Sequence, residues 1–139
     1  MPFLTGLGEQ YFLTLAQGGL AAQYSTGYDR MACIDDDDTL IDDVETITWG
    51  WSAGKADIFV NQDPIFTIPA GTTVKSIAFF NSGVRNAGTA GTPDIAFSTS
   101  GDLEFADALA IYPLETMKVF TIGGTIQVPN ARYNFFTRQ

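Results

Sequence analysis

The chain has no histidine and one cysteine. Without histidine there is no Ser-His-Asp or Cys-His nucleophile, and the commonest transition-metal ligand is missing. Cys33 alone can form neither an internal disulfide nor a cysteine zinc site. It lies in the apolar run Arg30-Met31-Ala32-Cys33-Ile34 and reads as a small buried hydrophobe. A fold without disulfides suits a reducing cytoplasm. Neither G-x-x-x-x-G-K-[ST] nor G-x-G-x-x-G occurs, so no phosphate-binding loop is read. No apolar run approaches the ~20 residues that span a bilayer. The first residues lack a basic n-region, and Gly6, Gly8 and Glu9 interrupt their apolar residues, so no signal peptide is expected.

Bases are scarce. Seven Lys and Arg stand against 16 Asp and Glu, for a net charge of −9. Before residue 70 there are 11 acids and 2 bases, Arg30 and Lys55; after it there are 5 of each. Such a chain repels phosphate backbones and anionic lipid surfaces, so neither nucleic acid nor membrane is expected as a partner.

Aromatics are abundant: 11 Phe, 5 Tyr and 2 Trp in 139 residues. The length suits one domain over residues 1–139 with a core that needs no staples. Leu4, Leu7, Tyr11, Phe12 and Leu15 recur at helical spacing, which predicts a short N-terminal helix within residues 4–18. Thr5 would cap it and Gly18-Gly19 would stop it, while Gly6 and Gly8 weaken it.

Residues 57–83 organise the remainder. They read as three strands, 58–60, 65–68 and 73–80, joined by turns at Asn61-Gln62-Asp63-Pro64 and Pro69-Ala70-Gly71. The second turn has Pro second and Gly fourth, as type I prefers. Ile77-Ala78-Phe79-Phe80 is apolar on both faces, which places the third strand centrally in a two-layer structure. Further strands are expected at 20–24, 28–34, 45–52, 95–99 and 103–112. A hairpin is expected between 117–122 and 125–128 around Gly123-Gly124. Residues 81–94 read as a long loop that is mobile or contact-making. The fold class expected is mostly β: one antiparallel β-sandwich or jelly-roll-like domain with a short N-terminal helix.

Few residues carry chemistry. Glu104 and Asp107 could be paired glycosidase carboxylates, but three apart on a strand they would face opposite sides and read as solvated charges. Asp35, Asp36, Asp37, Asp38, Asp42 and Asp43 form a run of six aspartates in nine residues. It can be read as a calcium site outside the EF-hand pattern, as a solvated loop kept open by self-repulsion, or as a contact for a basic neighbour. No other cofactor is expected. Ile47, Trp49 and Trp51 share a strand face, readable as core or as an aromatic platform for a sugar or a subunit. With Arg85 in the 81–94 loop, Trp49 and Trp51 are candidate ligand or partner contacts. The tail 130–139 places Arg132, Tyr133, Phe135, Phe136 and Arg138 together, an aromatic and basic segment. It either completes its own sheet or docks head-to-tail on the acidic half of the next copy, closing a homo-oligomer, with a trimer as the expectation.

Leu4-Thr5-Gly6-Leu7-Gly8, the Trp-rich strand and Asn61-Gln62-Asp63-Pro64-Ile65-Phe66-Thr67-Ile68-Pro69-Ala70-Gly71-Thr72, with Val74, Ile77 and Phe79-Phe80, make a recognisable layout. Over roughly residues 4 to 128 the chain resembles small virion structural proteins of tailed bacteriophages. The resemblance implies a non-enzymatic part of the virion, made in the host cytoplasm, that contacts the major capsid or tail protein. It implies capsid decoration, as a cement protein, or alternatively a tail-tip or fibre component that binds a carbohydrate or receptor.

Overall fold

The computed structural model describes residues 3–18, 28–46, 49–51, 58–60, 65–89, 91–127 and 132–133. In chain order, β1 (Phe3–Leu4) leads into α1 (Gly6–Ala16), followed by β2 (Arg30–Asp35), β3 (Leu40–Thr46), β4 (Trp49–Trp51) and β5 (Ile58–Val60). Then come β6 (Ile65–Ile68), β7 (Thr72–Phe80), β8 (Val84–Asn86), β9 (Ile95–Phe97) and a 3-10 turn, Phe105–Asp107. β10 (Ala110–Phe120), β11 (Gly124–Gln127) and β12 (Arg132–Tyr133) complete the order. The protein is mostly β with one short N-terminal helix, as its sequence predicts.

The main sheet has the order β1-β10-β7-β2-β3, every pair antiparallel. β7 is its middle strand, and the reason is in its sequence. Val74, Ile77 and Phe79 enter one apolar cluster with Met31, Cys33, Phe66, Ile68, Leu7 and Tyr11. Ala78 and Phe80 enter a second with Ala32, Ile34 and Ala108, closed by Leu103 and Phe105. A strand with apolar residues on both faces is stable only where both faces are covered. Each fully buried Phe contributes roughly 2–3 kcal/mol by leaving water. Cys33 is fully buried, as a small hydrophobe.

A bulge divides the two halves of β7. Ile34 pairs with Ser76 but Asp35 pairs with Val74, so Lys75 is an extra residue relative to β2. This puts Val74 and Ile77 in the same cluster and turns Lys75 to the opposite face. There its ammonium lies 5.8 Å from the Phe105 ring centroid.

α1 is fixed at its first residue. Thr5 Oγ1 accepts a bond from Gly8 N at 3.0 Å and donates to the Ala108 carbonyl at 2.6 Å. Thr5 N donates to the Leu109 carbonyl at 3.0 Å. One residue therefore caps the helix and ties it to the chain entering β10. Gly8 lets the helix lie directly on that chain, since a Cβ there would sit 1.8 Å from the Leu109 carbonyl oxygen.

Several sequence expectations are corrected. The three strands 58–60, 65–68 and 73–80 form as expected, each in a different sheet: β5 pairs with β4 and β12, β6 with β11, and β7 with β10 and β2. The Gly123-Gly124 hairpin does not form. β10 ends at Phe120, and β11 pairs with β6 in the register Gly124 to Ile68 through Gln127 to Ile65. The β7–β10 ladder ends with Thr72 opposite Phe120, so β6–β11 continues the same ribbon after a corner made by both chains at one level. Pairing with β6 lets Ile126 pack against the core around Phe66, which a local hairpin would not do. In the first corner the central residues are Ala70 and Gly71, with Gly71 at φ +79°, the third position of a type II turn rather than the end of a type I turn. Residues 103–112 are not one strand, because the 3-10 turn precedes β10. Of the span 45–52, Glu45 and Thr46 end β3 and Trp49–Trp51 form β4, while residues 47, 48 and 52 lie outside the described residues. The 81–94 loop holds β8, which pairs with β9, and the Asn86 side chain closes the connection by accepting from Gly88 N and Asp94 N. The expected strand 20–24 lies outside the described residues.

Candidate functional site

The aspartate run builds a hairpin end rather than an open loop. Asp35 closes β2, Asp36-Asp37-Asp38 make the turn, and Asp42 and Asp43 lie within β3. Asp35 Oδ1 accepts from Asp37 N and Thr39 N, both at 2.9 Å. Asp35 N bonds to the Thr39 carbonyl at 3.0 Å, and Asp38 stands at φ +60°. A three-residue hairpin loop needs a left-handed residue at this place, and Asp tolerates it better than most. Lys75 pairs with Asp38. Asp36, Asp37 and Asp38 are exposed, as expected of a solvated acidic stretch. Among the described residues no group of three or more carboxylate, thiol or imidazole side chains is placed to hold a metal ion.

Beside this hairpin end lies an open groove of about 890 Å³. Its lining includes Asp38 and Thr39 of the turn, Asp102, Glu104 and Phe105 of the segment before β10, and Arg30, Ser82 and Arg85. Arg85, singled out from its loop, is fixed here. Its Nη1 donates to the carbonyls of Ser82 at 2.8 Å and Val84 at 3.0 Å, and its Nη2 to that of Gly101 at 3.1 Å. Its Nε is buried with no partner. Arg30 is held at 3.6 Å from the Asp29 carboxylate, which itself accepts from Ser82 N and Oγ, each at 2.7 Å. The groove thus joins two oriented guanidinium groups, carboxylates and apolar wall residues, and can take a polar ligand or a polar protein loop.

The Glu104–Asp107 pair is not a catalytic dyad in this arrangement. Asp107 is buried, and its Oδ1 and Oδ2 accept from Asn86 N and Glu104 N, both at 2.8 Å. It splints the 3-10 turn to β8. On a strand the two side chains would diverge; on the turn, Asp107 reaches back to the Glu104 backbone. Asp three residues after a turn's first residue was the available signal.

Trp49 and Trp51 lie in β4, whose backbone pairs with β5 at Val60 and Ile58. Arg132 and Tyr133 pair with Phe59 and Ile58 of the same chain, so this part of the tail adds a strand to its own sheet. Phe135, Phe136 and Arg138 lie outside the described residues.

Sequence reading missed two features. Burial, and secondarily Tyr11, push the Tyr28 phenol well above its ordinary value. Large apolar side chains are exposed on and beside the bent ribbon: Ile65 at 50%, Met117 at 51%, Val119 at 69% and Ile122 at 93%. No helix among the described residues is long and apolar enough to cross a membrane. No protein-family model, no curated protein and no solved structure matches the chain.

Proposed function

We propose that this protein is a non-enzymatic structural component of a tailed-bacteriophage virion, acting as a capsid decoration or cement protein through a jelly-roll-like domain. The observation that carries the reading is the exposure of Ile65, Met117, Val119 and Ile122 about one bent ribbon of a mostly β domain. Large apolar side chains left exposed along one ribbon offer area that a partner can bury. The resemblance of residues 4 to 128 to small phage virion proteins supports the same role and gives the partner's class, a major capsid or tail protein. The charged side chains best defined by geometry also fit it, because Asp107, Asp29 and Arg85 bond to main-chain groups. The test is particle attachment. The purified chain, added to particles that lack it, should bind in stoichiometric copies visible by electron microscopy and raise the temperature at which the particle opens. Absence of binding to shells and tails alike would refute the role.

The groove of about 890 Å³ favours a second reading, a tail-tip or fibre component that binds a carbohydrate or receptor. A glycan array separates the two. A decoration protein should bind no glycan; a receptor module should bind one and lose it on Arg30→Ala.

A further inference from the structure

The groove beside the aspartate hairpin has a cationic end. Arg30 opens β2 and Asp35 closes it, so at ~3.3 Å per residue the hairpin end lies about 16 Å from Arg30. Arg85 belongs to the Arg30 end, because Ser82 joins the two. The Ser82 carbonyl accepts from Arg85, and its N and Oγ donate to Asp29, which holds Arg30. Asp38 and Thr39 line the groove at the hairpin end. The two guanidinium groups differ. Arg85 is bonded to carbonyls, and among the described residues no carboxylate pairs with it. Its charge is therefore met only by carbonyl dipoles. Arg30 uses only Nη1, which donates to the Asp29 carbonyl at 2.9 Å and lies 3.6 Å from its carboxylate. Among the described residues Arg30 Nε and Nη2 carry no bond, and unlike Arg85 Nε neither is buried. Their N–H groups form one edge of the guanidinium plane, and that edge matches the two oxygens of a carboxylate.

The rest of the lining suits hydroxyl groups. Thr39 Oγ1, Thr99 Oγ1 and the Asp102 carboxylate belong to exposed lining residues and have no partner among the described residues. Each is a single-point partner for a ligand hydroxyl, which can donate to the acid and either donate to or accept from the threonines. Asp38, Asp102 and Glu104 also line the groove, and together they repel a ligand with many negative charges. One carboxylate at the Arg30 end is compatible with them; a sulfated or phosphorylated polymer is not. The volume, about 890 Å³, is that of a small-molecule site. The geometry points to an acidic carbohydrate as the ligand, with one sugar carboxylate on the Nε–Nη2 edge of Arg30 beside Arg85, and hydroxyls along Thr39, Thr99 and Asp102. This inference rests on the second reading above, in which the groove binds a carbohydrate, and names the class.

The test uses the full chain on a glycan array. Each oligosaccharide carrying a uronic or sialic acid is matched by one with a neutral hexose in its place. The acidic member should bind more tightly than its match by roughly tenfold or more, the range of a charged hydrogen-bonded pair. That comparison needs no variant. Arg30→Lys keeps the charge and loses the two-pronged edge, so it should lose most of the preference while its circular dichroism matches the parent. Equal binding of acidic and neutral members overturns the inference and leaves the carbohydrate reading standing. Binding to no glycan at all sinks both. An acid preference that survives Arg30→Lys and Arg30→Gln refutes the placement at Arg30. A peptide rich in Asp and Glu that binds more tightly than every acidic glycan would give the groove to a protein partner, and the inference would fall.

Discussion

Gly8 tests the seating of the helix most directly. Gly8→Ala should raise intrinsic helix propensity by up to ~1 kcal/mol. Against that stands the 1.8 Å separation between the added Cβ and the Leu109 carbonyl oxygen. Ordinary contact begins near 3.4 Å, so α1 must retreat by about 1.6 Å. The retreat stretches both Thr5 bonds to the chain at Ala108 and Leu109, now 2.6 and 3.0 Å, beyond useful range, at ~1 kcal/mol each. It also unseats Leu7 and Tyr11, each 1% exposed, and partial exposure of the two costs a further ~2 kcal/mol or more. The net expectation is destabilisation by ~3 kcal/mol, hence a Tm lower by roughly 10 °C for a chain of this length. Urea unfolding followed by circular dichroism should show a lower midpoint at unchanged slope. Gly6→Ala is the internal comparison. Its Cβ meets the Pro93 ring at 2.9 Å, a side chain that can give way, so its cost should be smaller. If Gly8→Ala matched or exceeded the parent in stability, propensity would have won, and the close approach of helix to β10 would be wrong.

Other outcomes follow from the same geometry. Asp107→Asn keeps shape but offers one acceptor where two amides need bonds, and should cost ~2 kcal/mol by thermal unfolding. Tyr28 has its folded pKa raised above the ordinary value near 10, so its contribution is intact below pH 10. Above that the unfolded chain loses the proton while the folded chain keeps it, and stability should fall by ~1.4 kcal/mol per pH unit. Tyr28→Phe should remove that part of the alkaline slope, as read by unfolding between pH 9 and pH 11 (about one unit either side of the phenol's ordinary value). Millimolar calcium should leave the Tm unchanged, because Asp35 is engaged with the turn's amides and Asp38 with Lys75; a rise would follow RT ln(1 + [L]/Kd) and reveal a site. Gly123→Ala should cost more than Gly18→Ala, since both stand at positive φ but only Gly123 faces the Ile68 carbonyl at 3.1 Å; paired unfolding curves decide it.

What was legible in the sequence was what side chains decide locally. Residues 77–80 announce a strand buried on both faces, and β7 is that strand. Thr5 announces a cap, and it caps. What stayed hidden was pairing at a distance. Gly123-Gly124 is a strong turn signal, but a turn signal cannot weigh a local partner against β6, 56 residues earlier at the Gly124–Ile68 pair. The burial of Phe66 and Ile68 decides that contest, in a cluster shared with Leu7 and Tyr11 of α1 and Met31 and Cys33 of β2. The aspartates misled for a different reason. Self-repulsion argues for an open loop, yet Asp35 uses its charge to bond two amides inside the turn. Gly8 is the converse case: a cost in helix propensity that its packing requires.

The candidate site follows the same division. In an enzyme, ionisable groups in a cleft are left partly unsatisfied so that their proton affinity suits a reaction. Here several of the groups around the groove are committed. Arg85 bonds three carbonyls through its two Nη groups, Asp29 holds the start of β2 to Ser82, and Lys75 bridges Asp38 and the Phe105 ring. Committed charges make rigid surfaces, and rigid surfaces lose little entropy on association. The same chain leaves Met117, Val119 and Ile122 exposed to water, where burial is still to be gained. Polar groups fixed inside the chain and apolar area left outside it are the two features on which the proposed contact role rests.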